Sequence, residues 1–243
     1  MKQLQGLTAF IPAAGYGTRM GEICRNNQKC MLPIWEEKKP ILHYIVQNLI
    51  QCGCTRFVIA VNHCKEQIME YFQDGAQFGV EIVYVEGKFT CTYDTLMKAI
   101  DQLPNVFVYS HGDMIFRPEV YDKLAEKYNE HHVSVISVMP NTYPEMTHPR
   151  ITLYGDTVKE IIFKGVELDK YPYMYLGGAI YNKSDFLDNF DGDCSGMVEK
   201  MLLQKFAKAE SVKAVVYDRE WRHFMNESDL QVVANETNWL KLK

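Results

Sequence analysis

No stretch of the 243-residue chain approaches the ~20 consecutive apolar residues that a bilayer span needs. The one early apolar run, Leu7–Ala14, is short, contains Pro12 and lacks a charged leader. No secretory signal is therefore expected, and the reading is a cytoplasmic protein with no membrane partner. An excess of positive charge is missing too. Lys and Arg number 26 against 31 Asp and Glu, a net charge of −5. Nucleic-acid-binding domains are usually basic, so no nucleic-acid partner is expected. Only 15 glycines are present, without a period, which excludes collagen-like structure. The seven cysteines are an odd number, and in a reducing compartment a disulfide framework is not expected. Cys52, Cys54, His63 and Cys64 lack the spacing of paired zinc knuckles and read as buried thiols instead.

Two common phosphate motifs are absent as well. There is no G-x-x-x-x-G-K-[ST] loop. A dinucleotide fingerprint would need a third glycine where Met20 stands, and an acid at the end of the second strand, where Asn62 and His63 stand.

What is present is a β-α rhythm. Leu7–Pro12, Arg56–Asn62, Val80–Glu86, Val106–Ser110 and Val133–Met139 are near-continuous apolar runs that read as strands buried on both faces. Between them lie a helix opened by Pro40 and stopped at Gly53, then Lys65–Phe72, Thr92–Leu103 and Pro118–His131. After residue 140 the rhythm changes. Ile151–Tyr154 and Val158–Phe163 flank Gly155-Asp156 as a hairpin. Leu176–Tyr181 and Val212–Tyr217 read as strands. Lys183–Asn189, Met197–Ala209 and Glu227–Leu240 read as helices. The expected architecture is α/β, a Rossmann-like three-layer sandwich with a mostly parallel central sheet. One domain, 1–243, is expected, with a nucleotide-binding half (1–139) and an acceptor-binding half (140–243). The sequence does not set the oligomeric state.

The chemistry concentrates between Pro12 and Pro33, PAAGYGTRMGEICRNNQKCMLP. A strand delivers Gly15 and Gly17 into a loop where backbone N–H groups can approach an anion closely. Thr18 and Arg19 follow, and a guanidinium can fork two phosphate oxygens. Lys29 stands ten residues on, before the apolar anchor Met31-Leu32-Pro33. Backbone donors, a fork and a point charge from a second direction suit a triphosphate. The segment is locally cationic: six basic residues against three acidic ones in the first forty.

Ala13-Ala14-Gly15-Tyr16-Gly17-Thr18-Arg19-Met20, followed by Lys29-Cys30-Met31-Leu32-Pro33-Ile34, resembles the signature of the sugar-phosphate nucleotidyltransferases, A-A-G-x-G-T-R-[ML] and then P-K-x-[ML]-L-P-I. Gln28 stands where that signature has proline. Lys39-Pro40-Ile41-Leu42 is similar to its G-K-P-[IM]-L, and the opening looks most like bacterial UTP–glucose-1-phosphate uridylyltransferases. The resemblance implies a nucleotidyltransferase, GT-A-like fold that joins a nucleoside triphosphate to a phosphorylated small molecule with release of pyrophosphate. It implies Mg²⁺ as cofactor, Arg19 and Lys29 as catalytic residues, and nucleotide contacts from Ala13, Ala14, Gly15, Gly17, Thr18 and Arg19. Asp113, in His111-Gly112-Asp113, looks like the family's N-G-D, which makes Gly112 a nucleotide contact and Asp113 a metal ligand. Cys91-Thr92-Tyr93-Asp94-Thr95-Leu96 stands where the family has G-T-A-x-A-L, so Thr92 and Asp94 fall at the nucleotide, and the larger Tyr93 reshapes the pocket. Lys164 and Gly178 fall at acceptor-binding positions. His223 takes the place of a second metal aspartate, although Mg²⁺ favours oxygen; the metal would then rest on Asp113 alone or recruit an acid such as Asp218.

Three readings stay open. One is a pyrimidine nucleotidyltransferase acting on a sugar 1-phosphate, or a phosphocholine-like cytidylyltransferase. The second is a nucleotide-binding paralogue without turnover. The third is a glycosyltransferase, for which Asp191-Gly192-Asp193 would supply a D-x-D pair, although its place late in the chain reads as a solvated turn.

Overall fold

The computed structural model describes residues 3–87, 91–142, 148–162, 170–188 and 211–241. In chain order these form β1 (Thr8–Ala13), β2 (Pro33–Ile34), β3 (Lys39–Pro40), α1 (Ile41–Cys52), β4 (Arg56–Val61), α2 (Lys65–Phe72), β5 (Glu81–Glu86) and α3 (Thr92–Ala99). Then come β6 (Val106–Ser110), β7 (Met114–Phe116), α4 (Glu119–His131), β8 (Ser134–Pro140), β9 (Arg150–Tyr154), β10 (Thr157–Ile162), β11 (Tyr173–Asn182), α5 (Lys183–Leu187), β12 (Val212–Val216), β13 (Trp221–His223) and α6 (Glu227–Ala234). The helix expected at Met197–Ala209 lies outside the described residues.

The chain divides into two compact units. The first comprises Met1–Lys88, Ser110–Pro118 and Arg219–Lys243; the second comprises Phe89–Tyr109 and Glu119–Asp218.

In the first unit β1, β4 and β5 form a parallel ladder, with Phe10 opposite Val58 and Ile59 opposite Tyr84. Phe10, Ile11, Phe57, Val58 and Ile59 are fully buried, as strands covered on both faces require. α1 buries Ile41, Leu42, Ile45, Val46 and Leu49 on one stripe and ends at Gly53. Gly53 takes φ +112°, and its N–H reaches the Leu49 and Ile50 carbonyls at 3.1 and 3.0 Å.

A second, smaller ladder pairs β7 antiparallel with β13, with His223 opposite Met114. The Phe224 N–H extends it to the Asp113 carbonyl at 3.0 Å. Buried Asn48 on α1 pins it by donating to the Phe116 carbonyl at 2.7 Å. Beyond it a capping box starts α6: Asn226 accepts from the Ser228 N–H at 3.0 Å, and Asp229 accepts from the Asn226 N–H at 2.8 Å.

In the second unit the strand order is β6-β11-β8-β12-β10-β9. β12 runs parallel to β8, whereas β11 is antiparallel to β8 and β9, and β10 to β9 and β12. The expected mostly parallel sheet is thus corrected to a mixed one. The hairpin at Gly155-Asp156 and the long return strand β11 supply antiparallel neighbours that a βαβ series alone would not contain. α4 packs Val120, Tyr121, Leu124 and Ala125 inward and lies on β8, β11 and β12.

Candidate active site

β1 ends at Ala13, and the chain then turns through Ala14–Gly17 into two short 3-10 turns spanning Thr18–Cys24. Gly17 takes φ +64°, and a Cβ there would stand 3.0 Å from the Cys24 Sγ and 3.2 Å from the Lys29 Cβ. The fold itself therefore demands glycine at 17. Gly15 is different: its φ is ordinary and a Cβ would meet nothing within 4 Å. Nothing in the described chain requires glycine there, and the space that a side chain would fill is open. Ala13 is buried, whereas Gly15, Thr18 and Arg19 are exposed.

Lys29 opens a further 3-10 turn, Lys29–Met31, and its Nζ makes an ion pair with Asp113 Oδ2. Both side chains are largely buried. Asp113 reaches this position because Gly112 is packed against the end of β1: a Cβ on it would stand 2.9 Å from the Pro12 carbonyl and 3.2 Å from the Cys30 Sγ. The β7–β13 ladder brings His223 to the same carboxylate, with Nε2 3.5 Å from Asp113 Oδ2. Burial works against the charge of Asp113. Lys29 first, then His223 and His111, outweigh it and hold the carboxyl well below the usual carboxylate range. Burial likewise opposes the charge on Lys29, and Asp113 overcomes it, so the ammonium titrates above its ordinary value while Arg19 pulls the other way. At neutral pH the pair is ionic.

Gln28 is the residue that sequence reasoning missed. It is fully buried at 0% exposure. Its Nε2 donates to the Ala13 and Gly15 carbonyls at 2.6 and 3.3 Å, and its Oε1 accepts from the Cys30 N–H at 2.6 Å. The only signal in the sequence is its place where the signature has proline.

In the second unit, Asp94 lies in the first turn of α3, buried, with Lys98 Nζ 3.0 Å from its Oδ2. Thr92 is half-buried beside it, and Tyr93 is buried. Gly178 sits at a register shift between β11 and β8. Its N–H and carbonyl both bond Ser137 Oγ, at 3.1 and 2.8 Å, which accounts for it by sheet packing. Asp218 is exposed. Lys164 and Asp191–Asp193 lie outside the described residues.

Cys52 and Cys54 are buried as the spacing reading expects, and so are Cys24 and Cys30, whereas Cys64, expected buried, is half-buried at the start of α2. Burial pushes Cys30 and Cys54 up to about 12. Among the described residues, no three His, Cys, Asp or Glu side chains gather as a metal-binding group. Asp113 with His223 nonetheless offers one carboxylate and one imidazole side by side, and a cation that arrives with a polyphosphate needs few protein ligands. The donor set fits a divalent ion, though it contains a nitrogen where Mg²⁺ prefers oxygen. No described helix is long and apolar enough to cross a membrane.

Residues 9–162 match the model of the MobA-like NTP transferase domain. A UTP–glucose-1-phosphate uridylyltransferase of Synechocystis is 40% identical over 78 residues, 32% of this chain and 20% of that protein; this chain therefore spans a small part of that relative's length. A CTP:phosphoglutamine cytidylyltransferase of Campylobacter jejuni is 22% identical across 93% of this chain and 98% of its own. Among solved structures, a UDP-glucose pyrophosphorylase complexed with UDP-glucose superposes with a TM-score of 0.80, covering 95% of this chain and 98% of that one at 19% identity, a likeness of fold.

Proposed function

Since the chain belongs to the MobA-like NTP transferase family, we propose that it transfers a nucleotidyl group from a pyrimidine nucleoside triphosphate, UTP or CTP, to a sugar 1-phosphate or similar phosphate monoester. A phosphate oxygen of the acceptor bonds to the α-phosphorus, the bond from that phosphorus to the bridging oxygen breaks, and pyrophosphate leaves with the electron pair. A phosphate monoester is already anionic, so no strong base is needed. The work is positioning and charge neutralisation.

The observation that carries this reading is the Lys29–Asp113 ion pair beside the glycine loop. In this reading the N–H groups of Gly15–Thr18, with Ala13 and Ala14 leading into them, and Arg19 hold the β- and γ-phosphates. Lys29 leaves Asp113 for the α-phosphate, exchanging one anionic partner for another. Asp113, with His223 beside it and Gly112 setting its position, would hold the divalent cation, Mg²⁺ in the simplest form. That ion would add positive charge at the triphosphate oxygens. Thr92 and Asp94 are assigned to the nucleotide, and Lys164 and Gly178 to the acceptor.

The whole-length match to a cytidylyltransferase favours a second form of the same chemistry, with CTP as donor and a phosphate ester other than a sugar 1-phosphate as acceptor. A pyrophosphate-release assay with the four triphosphates against a panel of phosphate monoesters tests both. Pyrophosphate with UTP or CTP and one acceptor class is expected. Nucleotide binding without pyrophosphate in any combination would turn the reading into a sensor, and release of a nucleoside diphosphate would turn it into a glycosyltransferase.

A further inference from the structure

The loop is held by more than its glycines. Gln28 uses its whole side-chain amide: both N–H bonds go to carbonyls of the β1 exit, Ala13 and Gly15, and the oxygen takes the Cys30 N–H at the start of the turn that carries Lys29. Its backbone N–H donates to Gln67 Oε1 at 2.8 Å, and Gln67 Nε2 donates to the Asn26 carbonyl at 3.0 Å. Gln67 belongs to α2, so one helix side chain fastens the descending arm of the loop and, through Gln28, the ascending arm. The described peptides are trans, and in a trans peptide the C=O and N–H point in opposite directions. Turning the Gly15 carbonyl to Gln28 therefore turns the Tyr16 N–H away from Gln28.

Gln28 has φ −70°, a value a proline ring would also impose. The chain thus reaches the backbone shape of the signature's proline by hydrogen bonds instead of by a ring. A ring holds that shape without help. Here the shape depends on two side-chain amides, one of them on another element.

We propose that Gln28 and Gln67 are positioning residues for nucleotidyl transfer, a two-amide clamp that sets the donors of the anion loop and the entry of Lys29 before a triphosphate binds. This rests on the reading of the loop as a triphosphate cradle. Loss of the clamp leaves the loop to be ordered by the ligand, and the ligand's affinity falls by the fraction of chains already ordered. The effect belongs in the triphosphate KM and Kd, not in the acceptor KM.

The test compares Gln28→Met, of similar size without the amide, with Gln67→Ala and Gln67→Glu. The glutamate keeps the acceptor for the Gln28 N–H and loses only the donor to Asn26. Hydrogen exchange of the ligand-free protein is read at residues 14–20, and steady-state kinetics follow with the triphosphate and acceptor identified by the release assay. Expected are faster exchange confined to the loop in Gln28→Met and Gln67→Ala, a triphosphate KM raised about tenfold with kcat within about threefold, and partial recovery of both in Gln67→Glu. Loop exchange equal to the parent's, or loss in kcat with KM unchanged, would overturn the clamp. Should Gln28→Met fail to fold, the half-buried Gln67 pair decides alone. Should the parent bind no nucleotide, the triphosphate reading falls while the exchange comparison still judges the clamp.

Discussion

Replacing Lys29 with methionine removes one partner of the largely buried ion pair and leaves the Asp113 carboxylate with His223 at 3.5 Å. Breaking a buried pair from one side typically costs ~3–5 kcal/mol, because the remaining charge is stranded. Some solvent reaches Asp113, and the imidazole stays beside it, so about 2–3 kcal/mol is expected here. Asp113→Asn strands the ammonium and should cost a similar amount. Removing both charges should cost about 1 kcal/mol or less, since apolar replacement of a whole pair is often neutral. The cycle then closes on a coupling of about 3 kcal/mol or more.

Turnover should behave otherwise. Loss of a fixed charge-stabilising donor costs ~2.7–4 kcal/mol, ~10²–10³ in rate, and the second substitution cannot restore it. Urea unfolding of the four proteins gives the first quantity, and pyrophosphate release per folded molecule gives the second. The pH dependence carries a sign check. Asp113 titrates below its unfolded value, so its stabilisation is present above pH ~4 and fades only as pH falls further. Lys29 titrates above its unfolded value, so its contribution is present below pH ~10.4 and fades only as pH rises further. The cost of Lys29→Met should therefore be the same at pH ~8 and pH ~9, above the ordinary histidine range and below the lysine one. A coupling under about 0.5 kcal/mol, or a double variant that regains the parent's rate, would refute the reasoning.

Gly15→Ala should fold with parental stability yet weaken triphosphate binding, whereas Gly17→Ala should lose about 1–2 kcal/mol because φ is +64° and the new methyl meets Cys24; unfolding and calorimetric titration of the two side by side separate a ligand's requirement from the fold's. His223→Asp should lower the Mg²⁺ concentration for half-maximal turnover and raise that for Co²⁺, which accepts nitrogen more readily; an unchanged ratio would remove His223 from the metal's surroundings. Glu37 is drawn down to about 2 chiefly by Lys241, with Tyr44 and Asn238 also donating to it. Its stabilisation is thus present above its unfolded value near ~4.3 and lost as pH falls toward 2. Lys241→Ala should cost about 0.5 kcal/mol at pH 6 and nothing measurable at pH 2, read from urea midpoints.

Most of the β-α series was legible because each element carries its own signal. Lys65–Phe72 and Val106–Ser110 fall where the apolar pattern puts them, and Gly53 ends α1 in the left-handed conformation its position calls for. Two expected helices stop short: Thr92–Leu103 ends its α segment at Ala99 and Glu227–Leu240 at Ala234, each followed by a short 3-10 turn. What escaped were pairings with no local signature. Met114–Phe116 and Trp221–His223 are three residues each, too short for alternation to register, and their partnership is a matter of tertiary register. The same holds for Gln28, whose amide bonds carbonyls far along the chain. The loop, Lys29 and Asp113 were visible as residue types; that lysine and aspartate neutralise each other in the ligand-free chain was not.

The order in which the β7–β13 ladder is completed has a consequence for synthesis. The strand that carries His223 follows the entire second unit in sequence and so leaves the ribosome after it. A nascent or proteolytically shortened chain that stops before Trp221 would display the glycine loop, Lys29 and Asp113 without the strand that backs them. On the proposed reading, such a fragment would carry the cationic loop with an unsupported carboxylate, so products that stop before Trp221 should sequester nucleotide poorly.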